Sequence, residues 1–236
     1  SMNTIVTNMT LMRTVCNWVR KQGVTNNDPF FGYDMPKALY GTPYFLTIQE
    51  RDQVLDADLT DDAELAEYRD MFVFQCMVGC RHSDLVTFTP KNIIDGVLEY
   101  IPIKTKGKLG DVVRVPLIPK AMAILDGHDH GDDEPIFPKH YNFKFNDAIR
   151  RILKRAKVNR VVTVINPKTR LEEKKPISDV ATSHLARRTF IGNLYRMVKD
   201  PDLVASMSGH AKGSVAFARY RVIDDDMKKS LVELIQ

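Results

Sequence analysis

The period of its apolar residues places this chain in the α+β class, mainly α-helical, with a small antiparallel sheet and a separate second hairpin. Three observations carry that reading. Residues 4–22, 62–78 and 142–157 read as helices, the first with apolar positions at helical spacing. Between about 93 and 117 the pattern changes to β-branched residues alternating with polar ones. After Ala181 the helical period returns and runs to the end.

Taken in order, Val6, Met9, Met12, Val15, Cys16 and Val19 mark one helix face, and Gly23 ends it. The next stretch, TNNDPFFGYDMPKALYGTP, is rich in Pro, Gly and Asn and reads as an extended linker, which predicts a boundary near residue 42. Thr47 and Glu50 form a capping box ahead of a helix to about Ala57. A helix over 62–78 carries the run MFVFQCMV, and Gly79 stops it. Ser83 is expected to cap a short helix, SDLVTF, which leaves Arg81 on the turn between two helices.

IIDGVLEYIPIKT and DVVRVPL predict antiparallel strands, turned at Asp95-Gly96 and at the glycine-containing TKGKLG. Lys104, Lys106 and Lys108 fall at or just past a strand end. Helices follow over 119–126 and 142–157, then a hairpin in VVTVINPKTRLEEKKPI. In the helix opened by Ser183, the residues Ala186, Phe190, Leu194 and Met197 form an apolar stripe with His184 and Arg187 outside it.

With 236 residues, 44% hydrophobic and 27% charged, the chain can bury a full core without staples. Its three cysteines, Cys16, Cys76 and Cys80, make no disulfide framework and fit a reducing, cytoplasmic setting. The longest apolar runs fall well short of the roughly 20 residues of a membrane span. Cys76, Cys80 and His82 read as part of a packed helix rather than a zinc site, because no second Cys/His pair accompanies them. His128 and His130 read as part of a solvated, acid-rich turn. Net charge is only +4, but it is uneven: residues 139–175 hold twelve Lys or Arg against Asp147, Glu172 and Glu173, while 50–70 and 124–134 are acidic. A basic band suits a polyanion, and equally a solvated helix face.

His184 and Arg187 are neighbours at i, i+3 in a first helical turn, where acidic residues are the usual choice; a bound phosphate resolves that conflict. Further on, SGHAKGSVAFARYRV sets His210 directly after Gly209 and places Tyr220 between Arg219 and Arg221. The ordered series GCRHSDL, KTKGK, HLARR, SGH and a tyrosine ten residues later resembles the catalytic domain of the tyrosine recombinases, the phage-integrase family, and in wording the integrases of mobile elements in Bacteroides-type bacteria. The match covers about residues 45–236. By this resemblance residues 1–42 comprise a tag remnant, the last helix of a truncated core-binding domain and a linker, and 43–236 the catalytic domain.

The resemblance implies a site-specific recombinase that cleaves DNA through a 3′-phosphotyrosyl bond, without metal or other cofactor, and integrates or excises a mobile element. Alternatives on the same fold are a dimer-resolving recombinase and a non-catalytic DNA-binding regulator. Arg81 and Arg187 are the expected phosphate clamp, Lys104 the acid for the leaving hydroxyl with Lys106 its alternative, His184 the acceptor of the phenolic proton, His210 a phosphate or tyrosine contact and Tyr220 the nucleophile. Lys106, Lys108, Arg114, Lys144, Arg151, Arg155 and Arg188 are the expected DNA-backbone contacts. Two departures from the family pattern stand out: ten residues separate His210 from Tyr220 where nine is commoner, and Arg188 stands where histidine is frequent. Asp84 is expected to orient Arg81. Double-stranded DNA is the implied partner, with a homotetramer on paired sites and a monomeric isolated fragment; the tail KKSLVELIQ docks on its own or a neighbouring subunit. A cytoplasmic, nucleoid-associated location follows.

Overall fold

The structure is a computed structural model that describes residues 1–105, 112–128, 131–198 and 200–210, together with Phe217 and Val232. Its backbone falls into two compact units, one of residues 1–42 with 162–175 and one of 43–161 with 176–236.

In the first unit, helix α1 (Met2–Lys21) begins under the Ser1 hydroxyl, which accepts the Thr4 N–H, and ends with Arg20 and Lys21 in its last turn, where cations complement the helix dipole. The ribbon of β4 (Val161–Ile165) and β5 (Glu172–Pro176) accounts for the second hairpin. Asn166 organises its turn by accepting from the Lys168 and Thr169 N–H groups.

The second unit is built round α3 (Ala63–Val78). Ten of its sixteen residues are buried, on every side, which is the pattern of a helix enclosed by others rather than laid on a surface. Helices α2 (Ile48–Leu55), α5 (Pro119–Asp126), α6 (Asn142–Arg155) and α8 (Ser183–Val198) pack against it, and Phe72, Phe74, Phe137 and Phe145 fill the centre. The Thr47–Glu50 capping box is formed in full. Strands β1 (Ile93–Ile94), β2 (Val97–Tyr100) and β3 (Val113–Pro116) make one antiparallel sheet. Asp95 and Gly96, both at positive φ, turn the first pair. Short helices α4 (His82–Leu85) and α7 (Ile177–Val180) and the eight-residue α9 (Pro201–Ser208) complete the described unit. Among the described residues no helix is long and apolar enough to cross a membrane.

Three local expectations are corrected. Ser83 does not cap α4: the helix starts at His82 and Arg81 occupies the cap position with no side-chain cap bond, because the chain leaves Gly79 already turned. Helix α6 stops at Arg155 rather than 157, since Lys157 adopts a left-handed φ of 55°. The stripe on α8 is buried at Ala186 and Phe190 but not beyond: Leu194 is half-buried and Met197 is 67% exposed.

Candidate active site

Five of the sequence-selected residues come from four separate stretches of the second unit, and each is held by a specific local device. Gly79 ends α3 in the left-handed conformation (φ 69°), and a Cβ there would fall inside the Phe190 ring, so only glycine turns the chain at this point. Two residues on, Arg81 is extended at the head of α4, its side chain 22% exposed. Asp84 in that helix is almost fully buried. Its Oδ1 accepts the Ile103 backbone N–H at 2.9 Å, and its Oδ2 faces Arg81 Nη1 at 4.0 Å, beyond hydrogen-bonding distance. Arg81 Nη1 and Asp84 Oδ2 are therefore buried polar atoms without a protein hydrogen bond. Lys104 follows Ile103 directly, in a 3₁₀ turn (Ile103–Thr105) that leads out of the sheet, and is exposed.

The head of α8 is fixed on α6. Ser183 N–H donates to Asn146 Oδ1 at 2.8 Å, and its hydroxyl lies 3.2 Å from Asn142 Oδ1. His184, next in the chain, is exposed, whereas Arg187 one turn later is only 3% exposed. Arg187 lies off the apolar stripe of α8, and its burial comes from a partner outside the helix. Arg187 Nη1 donates to the Gly79 carbonyl at 2.7 Å, and Nη2 lies 3.0 and 3.2 Å from the two ring nitrogens of His210. His210 itself follows Gly209, the left-handed end of α9 (φ 62°). A Cβ on Gly209 would meet Val113 and Pro102, so this turn lies directly on the sheet that leads to Lys104. The Ser208 hydroxyl lies 2.9 Å from His210 Nδ1, and the buried Phe217 ring sits 5.2 Å from the imidazole.

The electrostatics report the same convergence. Loss of hydration, then the charges of Arg187, Arg81 and Lys104, push the His210 pKa down to about 3. Loss of hydration, then Arg188, Arg187 and Arg81, hold His184 below the usual histidine range. Both shifts favour the neutral imidazole. An arginine only donates, so the His210 nitrogen facing Arg187 presents its lone pair. Below this surface, burial pushes the Cys80 thiol and the Tyr100 phenol up, with Arg187 and Arg81 acting against the shift in both. The arrangement is a concentration of guanidinium, ammonium and imidazole, suited to an oxyanion with two or more charged oxygens.

The expected DNA-backbone contacts are spread more widely. Arg114 pairs with Glu99 at 2.7 Å, and within the basic band Arg151 pairs with Asp62 at 2.7 Å and Arg155 with Asp61 at 2.5 Å, carboxylates distant in sequence. Lys144 is exposed on α6. Arg188 lies over the Tyr44 ring, 5.3 Å from its centroid. Lys106, Lys108 and Tyr220 lie outside the described residues. Cys76 and Cys80 are both buried, and His82 stacks on Phe145 at 4.9 Å. Among the described residues no group of three or more His, Cys, Asp or Glu is arranged to hold a metal ion. Sequence reasoning missed the Gly79 carbonyl and Tyr44 as parts of this region; neither carries a spacing signal, because each acts through a residue far along the chain.

The sequence profile described as the phage integrase family matches residues 44–227. No curated protein matches the sequence. Among solved structures, the chain resembles the Tn1549 transposon integrase in complex with transposon right end DNA, at 16% identity and a TM-score of 0.67, covering 100% of this chain and 80% of that one. It resembles a lambda integrase dimer bound to a COC' core site at 15% identity and a TM-score of 0.60, covering 92% and 72%. XerA recombinase matches at 16% identity and a TM-score of 0.58, covering 88% and 72%. A XerH site-specific recombinase bound to its palindromic difH substrate matches at 16% identity and a TM-score of 0.57, and there the chain spans only 54% of the other protein.

Proposed function

The chain belongs to the phage integrase family, and we propose on that premise that it is a site-specific DNA recombinase working through a covalent phosphotyrosine at Tyr220. The observation that carries the proposal is the junction of Arg187 with the Gly79 carbonyl and His210, together with the Asp84–Ile103 bond that ties the Arg81 turn to the Lys104 turn, although these residues lie far apart in sequence. In this reading a scissile phosphate occupies the space before Arg81 and Arg187. The two guanidinium forks hold the nonbridging oxygens as charge builds on them.

Tyr220 Oη then attacks phosphorus, the bond to the 5′ oxygen breaks, and a 3′-phosphotyrosyl ester remains. A free phenol has a pKa of about 10, so it needs an acceptor near neutral pH. Neutral His184 takes that proton, and Lys104 delivers one to the departing 5′ hydroxyl. His210, neutral and fixed by Ser208 and Arg187, bears on the phosphate from the other side. Phe217, which packs on His210, stands three residues before Tyr220 in the sequence. Reversal of the ester by a different 5′ hydroxyl exchanges strands, and two exchanges across paired sites integrate or excise an element. We read the active assembly as a homotetramer on paired DNA sites.

The test is a nicked suicide duplex that loses its short 5′-hydroxyl strand on cleavage. Wild-type protein is expected to give a covalent protein–DNA adduct stable to denaturing gel electrophoresis, and Tyr220→Phe none. An adduct that persists in Tyr220→Phe refutes the assignment.

A further inference from the structure

Arg188 is not one of the residues that the proposed reaction uses, yet its placement is specific. It stands four residues after His184 on α8, so the two side chains are neighbours on one helix face. Its guanidinium lies over the ring of Tyr44. That ring is itself immobilised: the Tyr44 hydroxyl donates to the Val180 carbonyl at 2.9 Å. Two residues on, Leu46 is tied to α8 through both backbone groups, its N–H to Thr189 Oγ1 at 3.0 Å and its carbonyl to Asn193 Nδ2 at 2.8 Å. Among the described residues no carboxylate pairs with Arg188, so its charge is held in place without being cancelled.

We propose that Arg188, seated on Tyr44, is a positioning residue that keeps His184 in its neutral, proton-accepting form while DNA is bound. The proposal rests on the reading of His184 as the acceptor of the phenolic proton. Three cations bear on His184: Arg188 and Arg187 from its own helix, and Arg81 from the head of α4. Asn142 and Asn146 of α6, which secure the neighbouring Ser183, are uncharged. A phosphate held by Arg81 and Arg187 brings negative charge that offsets those two. Left with the phosphate alone, His184 would gain affinity for a proton at the moment it must be free of one. Arg188 stands on the aromatic platform instead of in the clamp, so its repulsion of an imidazolium persists after the phosphate arrives. Tyr44 serves this end because an aromatic face fixes a guanidinium without neutralising it, as a carboxylate would.

The test follows the ring nitrogens of the six histidines by NMR across a pH titration of the full chain, in wild type, Arg188→Gln, Arg188→Lys and Tyr44→Leu. His184 is expected to protonate at higher pH in Arg188→Gln, to stay nearer the wild-type midpoint in Arg188→Lys, and to move part of the way in Tyr44→Leu. His210 is the internal control, since its cations are Arg187, Arg81 and Lys104. An unmoved His184 in Arg188→Gln, with the amide spectrum showing an intact fold, overturns the proposal. Covalent adduct formation on the suicide duplex, measured over the same pH range, supplies the second readout: its acid limb is expected to rise with the His184 midpoint. A limb that stays put while His184 shifts overturns the role assigned to Arg188. If wild type forms no adduct at any pH while the His184 shift still occurs, the recombinase reading fails and the Arg188–His184 coupling stands by itself.

Discussion

Asp84 Oδ1 accepts the backbone N–H of Ile103 at 2.9 Å, and through that one bond the helix turn bearing Arg81 is joined to the turn bearing Lys104. The same carboxylate lies 4.0 Å from Arg81. Asp84→Ala leaves a backbone donor without its acceptor and frees both turns. Its expected cost in urea denaturation is about 1–3 kcal/mol, together with a marked fall in adduct formation. Asp84→Asn retains an oxygen for Ile103 but withdraws the charge beside Arg81. Stability close to wild type with reduced cleavage is the expected result, and full cleavage by Asp84→Asn would remove Asp84 from the account.

Gly79 has two duties at one backbone position, turning the chain after α3 and offering its carbonyl to Arg187 at 2.7 Å. Gly79→Ala must both adopt a left-handed φ and displace Phe190. Thermal unfolding is expected to occur well below the wild-type temperature. Arg187→Lys keeps the charge but loses the fork that serves the carbonyl and His210 together. A fall of about 10²- to 10³-fold in cleavage rate is expected, the usual effect of deleting one preorganised oxyanion donor.

Acid should destabilise the fold, with His210 a main contributor. Its folded pKa of about 3 lies below the value of about 6.5 for a free imidazole. A group depressed in this way contributes stability that is complete above about 6.5 and is lost as pH falls toward 3, because the unfolded chain takes up the proton first. Melting temperatures measured between pH 7 and 4 should therefore fall less steeply in His210→Gln than in wild type. Parallel curves would show that the ring is not held neutral by its burial and the neighbouring cations.

The pairing of Arg155 with Asp61 and of Arg151 with Asp62 sets carboxylates against the proposed DNA face. Asp61→Asn frees one arginine while altering only an exposed ion pair, of a kind that adds little to folding. DNA affinity is expected to rise severalfold, with a salt slope steeper by about one phosphate contact. Unchanged affinity and slope would take Arg155 off the interface.

Helices with a one-sided stripe or a cap signal could be read from the sequence, as the Thr47–Glu50 box and the Gly79 stop illustrate. Local signals of that kind act within a turn or two, so sequence spacing carries them. The α4 cap could not be read that way: Ser83 has the right chemistry, but the helix comes in two residues earlier, with Arg81 at the cap position and His82 first in the helix. Nor could the burial of Arg187, whose partners Gly79 and His210 lie 108 and 23 residues away. The basic band shows the same limit. Its surplus was visible in composition, but the carboxylates of Asp61 and Asp62 that pair with it come from another helix boundary, some 90 residues earlier in the chain. Lys104, expected at or just past a strand end, lies in the 3₁₀ turn that follows β2, where Asp84 accepts the Ile103 N–H.

The most direct measurement is a crystal structure of Tyr220→Phe bound to a duplex carrying an intact cleavage site. The account predicts that Arg81 and Arg187 each place a guanidinium nitrogen about 3 Å from an oxygen of one and the same phosphate, with Lys104, His184 and His210 around it. Guanidinium groups of Arg81 and Arg187 engaged with different phosphates, or turned from the DNA altogether, would contradict it.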